Sequence, residues 1–200
     1  LYERALEFRQ RDRNAKPIDK LVSSATLAFG YMDSGNLGKA LPLLETTIAS
    51  MKQTLGEEHP HVLYTRNKQG AALRAAGKLE ESRTSLEEVL KQTKRIQGPN
   101  HLHTLKCQAN LGASLREVGR ADEAVVLLEE AYTKMKSKPG ASHPDTLWAQ
   151  LEFALSIHAV GRREEGQAML EEVLQLLKNK YGDNHPDVLR ATTELDHFRE

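Results

Sequence analysis

The chain repeats itself at a constant spacing of 42 residues, and this period constrains its fold more than any short motif does. A fixed period of roughly 20–50 residues is typical of proteins built by stacking similar units. Stacked units form an extended surface, so the period favours binding over catalysis. The residues that recur in phase are Gly35, Gly77, Gly119 and Gly161; Gly56, Gly98, Gly140 and Gly182; and His59, His101, His143 and His185.

Each unit has the pattern of two helices. In the third unit a first helix is expected from His101 to Val118, where Gly119 ends it. A second helix follows, with apolar residues at i, i+3, i+4, i+7 and i+8 from Ala124. The sequence therefore predicts an all-α chain with a partial helix over 1–11, hairpins over about 18–54, 60–96, 102–137 and 144–180, and a final helix over about 187–200.

The sequence also makes predictions about how the first helices begin and about one position in a second helix. Ser142 and Asn184 precede His-Pro-Asp, and we expect them to be helix N-caps, with the proline inside the first turn. The four linker histidines are expected to be structural, because one per unit cannot converge on a metal ion. Gly166 replaces the expected alanine of the second helix, which should cost roughly 1 kcal/mol.

The third unit resembles a tetratricopeptide repeat. It carries Asn110-Leu-Gly-Ala-Ser-Leu115, Gly119-Arg120, Glu123-Ala124 and Leu128-Glu-Glu-Ala131. Such repeats usually have 34 residues. The 42-residue unit, with linkers such as Tyr181-Gly-Asp-Asn-His-Pro-Asp187, is similar to the subclass found in kinesin light chains and in signalling ATPases. The resemblance implies a right-handed α-solenoid formed by one array over residues 1–200.

The resemblance also implies that the first helix of each hairpin lines a concave groove. Kinesin light chains carry two asparagines in each first helix; Asn67 and Asn110 are the two that remain here. In the third unit the stripe that faces the groove contains Lys106, Ala109, Ala113 and Arg116, and the period carries it to the other units. The candidate groove residues are Tyr64, Asn67, Arg74, Lys106, Asn110, Arg116, Trp148, Leu151, His158 and Arg190.

These residue types predict a peptide ligand with acidic groups and an apolar anchor, because arginine binds carboxylates in bidentate fashion. Small side chains such as Ala109 and Ala113 would leave room for the ligand backbone. Charge reversal at Arg74 and Arg116 is expected to abolish binding and to leave the fold intact. Two alternatives stay open: Tyr64 and Trp148 as packing residues, and the two arginines as solvated cations at helix ends.

Composition favours a scaffold or adaptor over an enzyme. Basic and acidic residues are equal in number, at 28 each, so we expect no nucleic-acid partner. No phosphate-binding loop or protease motif is present, and the single cysteine, Cys107, is expected to be a small packing residue. We expect no cofactor, no membrane insertion, a cytoplasmic location and possible self-association.

The resemblance leaves a second function open, which is that of a sensor or oligomerisation array of a larger nucleotide-binding signalling protein. The sequence starts at Leu1, part-way through a repeat, so it is expected to be a fragment of a larger protein.

Overall fold

The computed structural model describes residues 16–199, and over this range the chain is helical, without strands. The predicted partial helix over residues 1–11 lies outside the described residues. Residues Lys136–Gly140 form an irregular turn in which Lys138 is extended. The nine α-helices of the described range are α1 Pro17–Asp33, α2 Leu37–Leu55, α3 Pro60–Ala75, α4 Leu79–Gln97, α5 Leu102–Glu117, α6 Ala121–Met135, α7 Pro144–Ala159, α8 Arg163–Tyr181 and α9 Pro186–Arg199.

The contacts between residues divide the chain into two compact units, unit 1 up to Gly98 and unit 2 from Pro99. The first helices of the hairpins are α1, α3, α5 and α7, followed by the single helix α9; the second helices are α2, α4, α6 and α8. In each unit a first helix packs against the second helix of its own hairpin. Within the units, α2 also packs against α3, α6 against α7 and α8 against α9. Successive first helices of a unit also contact each other. This is the hairpin stacking of an α-solenoid, as predicted.

The first glycine series ends the first helices. At the end of α3, Gly77 has a φ of +76°, a backbone conformation that side chains with a Cβ disfavour. The Gly77 N–H donates to the Arg74 carbonyl at 2.9 Å, and the Lys78 N–H donates to the Leu73 carbonyl at 2.9 Å. This pair of bonds is a Schellman motif, which satisfies the last carbonyls of the helix and turns the chain into α4.

The linker histidines cap the first helices. The Nδ1 atom of His143 accepts a hydrogen bond from the Asp145 N–H at 3.2 Å, and His185 accepts from Asp187 at 3.3 Å. His59 and His101 make the equivalent bond to the residue two positions on. The N-caps are therefore the histidines, and the prediction of Ser142 and Asn184 as caps was wrong. An imidazole Nδ1 can replace the usual cap oxygen because it accepts a hydrogen bond in the same way.

A polar brace joins the two helices of three hairpins. Gln108 donates to a Glu130 carboxylate oxygen at 2.7 Å, and Gln150 donates to Glu172 at 3.1 Å. In unit 1 the corresponding residue is Arg66, which donates to Glu88 at 2.6 Å. Each brace spans 22 residues and recurs at the 42-residue period. These glutamates are framework residues because they tie the buried polar groups of a first helix to the following second helix.

Small residues mark the closest helix contacts. A Cβ on Gly112 would lie 2.6 Å from the Leu128 side chain. A Cβ on Gly166 would lie 2.8 Å from the backbone nitrogen of His158 and 2.9 Å from the Ala154 carbonyl oxygen. The expectation that alanine would suit position 166 was therefore wrong, because α8 approaches the α7 backbone too closely there for a methyl group.

Candidate functional site

The candidate groove residues lie on the first helices of both units. Unit 1 carries Tyr64, Asn67 and Arg74 on α3. We call the surface of α1 and α3 the first-helix face of unit 1, and the surface of α5, α7 and α9 the first-helix face of unit 2. The candidate residues of unit 2 are Lys106, Asn110, Arg116, Trp148, Leu151, His158 and Arg190.

An apolar pocket of about 440 Å³ lies between α1 and α3 on the first-helix face of unit 1. This volume is within the range of roughly 300–1,000 Å³ that is typical of ligand pockets. Its rim is half-buried at Val22, Phe29 and Tyr64 and exposed at Thr26. The residues that line it are Val22, Ala25, Thr26, Phe29, Met51, His61, Tyr64 and Thr65.

Aromatic contacts shape one side of this pocket. The rings of Phe29 and Tyr64 meet edge to face, with their centroids 5.8 Å apart and an interplanar angle of 80°. The Lys68 ammonium lies 5.9 Å from the centroid of the Phe29 ring. An edge-to-face pair restricts both rings, and a cation over a ring places positive charge beside the apolar surface. Phe29 and Tyr64 therefore form a fixed aromatic wall with a cation next to it.

Two candidate side chains are too buried to contact a ligand directly. Asn67 and Leu151 are each 1% exposed. Leu151 belongs to the core cluster of unit 2, where it packs among Leu147, Leu170 and neighbouring apolar residues. Ala109 and Ala113 are fully buried, so they do not leave the predicted space for a ligand backbone; small side chains there let the packed helices approach closely.

Two arginines of unit 2 share one buried carboxylate. Glu152, on α7, has an exposed side-chain fraction of 0%. Its Oε2 atom lies 3.2 Å from Nη2 of Arg116 on α5, and its Oε1 atom lies 2.7 Å from Nη1 of Arg190 on α9. Burial alone would lower the pKa of Arg190, but attraction and hydrogen bonding to Glu152 outweigh it and raise that pKa. Arg116 also contacts Glu117, at 3.3 Å.

The remaining candidate residues differ in the contacts that they make within the chain. Lys106 pairs with Asp145, with 2.9 Å between Nζ and Oδ1. His158 stacks on Phe198, with centroids 3.5 Å apart, and burial followed by repulsion from Arg163 lowers the pKa of His158. Trp148 and Asn110 are half-buried. Arg74 in unit 1 is half-buried in the last turn of α3.

Sequence reasoning missed Glu152, which is the residue that determines the charge of this surface. A signal was present in the 42-residue register of Glu152, which holds Thr26, Lys68 and Asn110 in the earlier repeats and a second acid, Glu194, on α9. Along the chain, α7 is the first helix with an acid at this position. Its burial between two arginines depends on side-chain packing, which the repeat register does not specify.

A larger depression of about 720 Å³ in unit 1 is lined by residues of α2, α3 and α4. Its lining includes Leu41, Leu73 and Lys78 together with four glutamates, so its net charge is negative: Glu45, Glu80, Glu81 and Glu88. Among residues 16–199, no group of three or more His, Cys, Asp or Glu side chains could hold a metal ion. Cys107 is fully buried.

The hairpin stacking and the first-helix faces define a tetratricopeptide protein. Tetratricopeptide repeat models match residues 63–137, and also residues 21–61 and 146–187. The chain belongs to the tetratricopeptide repeat family, whose members act as protein-interaction scaffolds. Its 42-residue units place it in the kinesin-light-chain-like group. The crystal structure of a Podosopora anserina kinesin light chain protein with nearly identical repeats is 30% identical, with a TM-score of 0.68. The match covers 90% of this chain and 85% of that chain.

More distant structures share the fold. BtubC from P. vanneervenii is 20% identical with a TM-score of 0.70, over 92% of this chain and 73% of that chain. A signal-transduction ATPase with a tetratricopeptide repeat sensor from Pyrococcus horikoshii is 14% identical with a TM-score of 0.66. That match covers 99% of this chain and 29% of the ATPase. No curated protein matches the sequence closely. No helix within residues 16–199 has the length and hydropathy needed to cross a membrane.

Proposed function

We propose that the chain binds a peptide segment of a partner protein through the first-helix face of unit 1, the face that the resemblance identifies as part of the concave groove. The observation that supports this most strongly is the apolar pocket beside Tyr64. An aromatic or large aliphatic side chain of the peptide would enter the pocket and contact the Phe29–Tyr64 wall. Tyrosine is among the residue types that dominate binding energy at interfaces.

Cations along α3 would select acidic groups near this anchor. Lys68 lies one helical turn, roughly 6 Å, along the axis from Tyr64, and Arg74 lies roughly 15 Å along it. An extended peptide advances about 3.3 Å per residue. A ligand that follows α3 would therefore carry carboxylates about two and about five residues from its anchor.

The larger depression between α2, α3 and α4 is a weaker candidate for this ligand. Its four glutamates would repel an acidic segment. Its open, mixed surface also lacks an aromatic wall of the kind that Phe29 and Tyr64 form.

Selection from a library of random peptides tests this proposal. We expect enriched peptides to share one aromatic or aliphatic residue with acidic residues at the spacing above. Tyr64→Ala and Arg74→Glu should each weaken binding of an enriched peptide by about tenfold or more. Thr26→Glu, at the exposed rim, tests the same pocket without removing a packed ring. Lys91→Glu, the same charge reversal on the exposed side of α4, is the matched control and should leave affinity unchanged.

Enrichment of basic peptides, or binding that tolerates both Tyr64→Ala and Thr26→Glu, would show that another surface is used.

We further propose that the protein is not an enzyme, works without a cofactor and binds protein partners, not nucleic acid. A cytoplasmic location and self-association stay predictions from the sequence. So does the continuity of all hairpins in one array within a larger protein.

A second candidate function is a sensor or oligomerisation array. The match to the repeat sensor of the Pyrococcus horikoshii ATPase, over nearly the whole chain, favours it. The sequence of the full-length protein would distinguish the two candidates: a nucleotide-binding domain upstream supports the sensor.

A further inference from the structure

We propose that Glu152 is a specificity-determining residue. Its carboxylate occupies the position between two arginines that a ligand carboxylate would otherwise take, so the first-helix face of unit 2 rejects acidic segments. The inference rests on the proposed function, because it concerns which part of the first-helix surface selects an acidic peptide. It predicts that this selection takes place in unit 1.

The geometry of Glu152 is that of a bound carboxylate. Its two oxygens are divided between guanidinium groups from two other helices, at 3.2 Å from Arg116 and 2.7 Å from Arg190. The carboxylate is 0% exposed, whereas the Arg116 and Arg190 side chains are 19% and 32% exposed. The arginines therefore lie between the carboxylate and the solvent. A buried charge requires such pairing, because leaving it unpaired is strongly destabilising.

Ion pairs within the chain engage the cations of this surface, and Glu194 and Glu117 add further negative charge near Arg190. Three cations, Lys106, Arg116 and Arg190, contact three acids, which are Asp145, Glu117 and Glu152. An acidic peptide that used both arginines would have to displace Glu152 from them, although Glu152 is buried and these two ion pairs stabilise its charge. The new contacts would replace existing charge-assisted contacts instead of adding to them, so the net gain from binding is small.

In unit 1, the equivalent position on α3 carries a charge of the opposite sign. The residue 84 positions before Glu152 is Lys68, which lies beside the apolar pocket. A cation at this register in unit 1 and a neutralising acid in unit 2 give the two units different preferences. The period thus supplies equivalent positions, and the substitution at one of them changes what the surface can bind.

The test uses hexaglutamate as a probe with the whole chain at low ionic strength. Glu152→Gln keeps the side-chain shape and removes the charge, so both guanidinium groups lose the carboxylate that they share. We expect hexaglutamate to bind this variant about tenfold more tightly than the natural chain, since a hydrogen bond to a charged group contributes at least that much. Binding of hexaglutamate to this variant should shift the Nε–Hε resonances of Arg116 and Arg190 and should raise the melting temperature of the variant.

Glu117→Gln is the matched control. It changes the net charge by the same amount and also removes a partner of Arg116, but it leaves Glu152 in place. Its affinity for hexaglutamate should stay close to that of the natural chain. Equal gains in the two variants would show a general charge effect and overturn the proposal, as would the absence of any gain in Glu152→Gln.

Arg190→Gln in the natural background gives a second test if Glu152→Gln fails to fold. Because Glu152 already engages Arg190, this variant should bind hexaglutamate as the natural chain does. Weaker binding would show that Arg190 is available to ligands and would contradict the proposal. The arginine resonances report on unit 2 alone, so the result is independent of whether Tyr64 in unit 1 binds a peptide anchor.

Discussion

His103, on the first turn of α5, is 8% exposed and lies near two other basic side chains. Burial, followed by repulsion from His101 and Lys106, lowers the pKa of His103 from 6.5 to about 4. Above pH 6.5 the imidazole is neutral in both the folded and the unfolded chain. Between pH 6.5 and about 4 only the unfolded chain binds the proton, so the free energy of unfolding falls as the pH is lowered through this window.

An NMR titration of the His103 ring, combined with urea unfolding at several pH values, measures this effect. The ring should titrate near pH 4, and His103→Leu should have a flatter pH dependence of stability between pH 6.5 and 4 than the natural chain. A titration midpoint near the ordinary histidine value would contradict the burial argument.

At Arg116, a contact seen in the structure changes the expected effect of a substitution. The sequence suggests that Arg116→Glu would remove a ligand contact and leave the fold intact. In the structure the new carboxylate would face the buried Glu152, which would also lose its ion pair with Arg116. Arg116→Glu should therefore destabilise the fold, and Arg74→Glu is the cleaner test of ligand binding.

Among the helices, the contact of α7 with α8 makes a prediction about Gly166. Gly166→Ala gains helix propensity of roughly 1 kcal/mol. The added methyl group would meet backbone atoms of His158 and Ala154 within 3 Å, and overpacking of this kind costs roughly 1–3 kcal/mol. We expect a net loss of about 1 kcal/mol in the free energy of unfolding.

Gly38→Ala is the matched control, because Gly38 is also helical and has nothing within 4 Å of an added Cβ. It should be neutral or slightly stabilising in urea unfolding. A gain in stability for Gly166→Ala would mean that α7 and α8 are farther apart than the structure shows.

The helices could be predicted from the sequence because their signals are local. Apolar spacing, glycine after the helix end and proline in the first turn each act within a few residues. The caps at His143 and His185 were harder to predict, because a histidine side chain reaches the backbone only in a particular rotamer. The close approach at Gly166 depends on the distance between two helices, which local pattern does not contain.

At the scale of the whole molecule, the resemblance and the period together predicted a stripe of residues on the first helices, and only part of that stripe is accessible at the surface. Tyr64 lies at a pocket and Arg74 is half-buried on the same helix, in line with the predicted stripe. Leu151 and Asn67 share that stripe yet are buried, because successive first helices pack against each other. The spacing of residues also could not predict that Arg116 and Arg190 pair with Glu152, because this contact joins three helices.

The central claim, that the first-helix face of unit 1 binds a peptide anchor, is tested most directly by methyl NMR of the whole chain with an enriched peptide. The largest shifts are expected at the methyl groups of Val22, Ala25 and Thr26, which line the apolar pocket. The largest shifts at Leu41, Leu73 and Thr84, which line the acidic depression between α2, α3 and α4, would contradict the account.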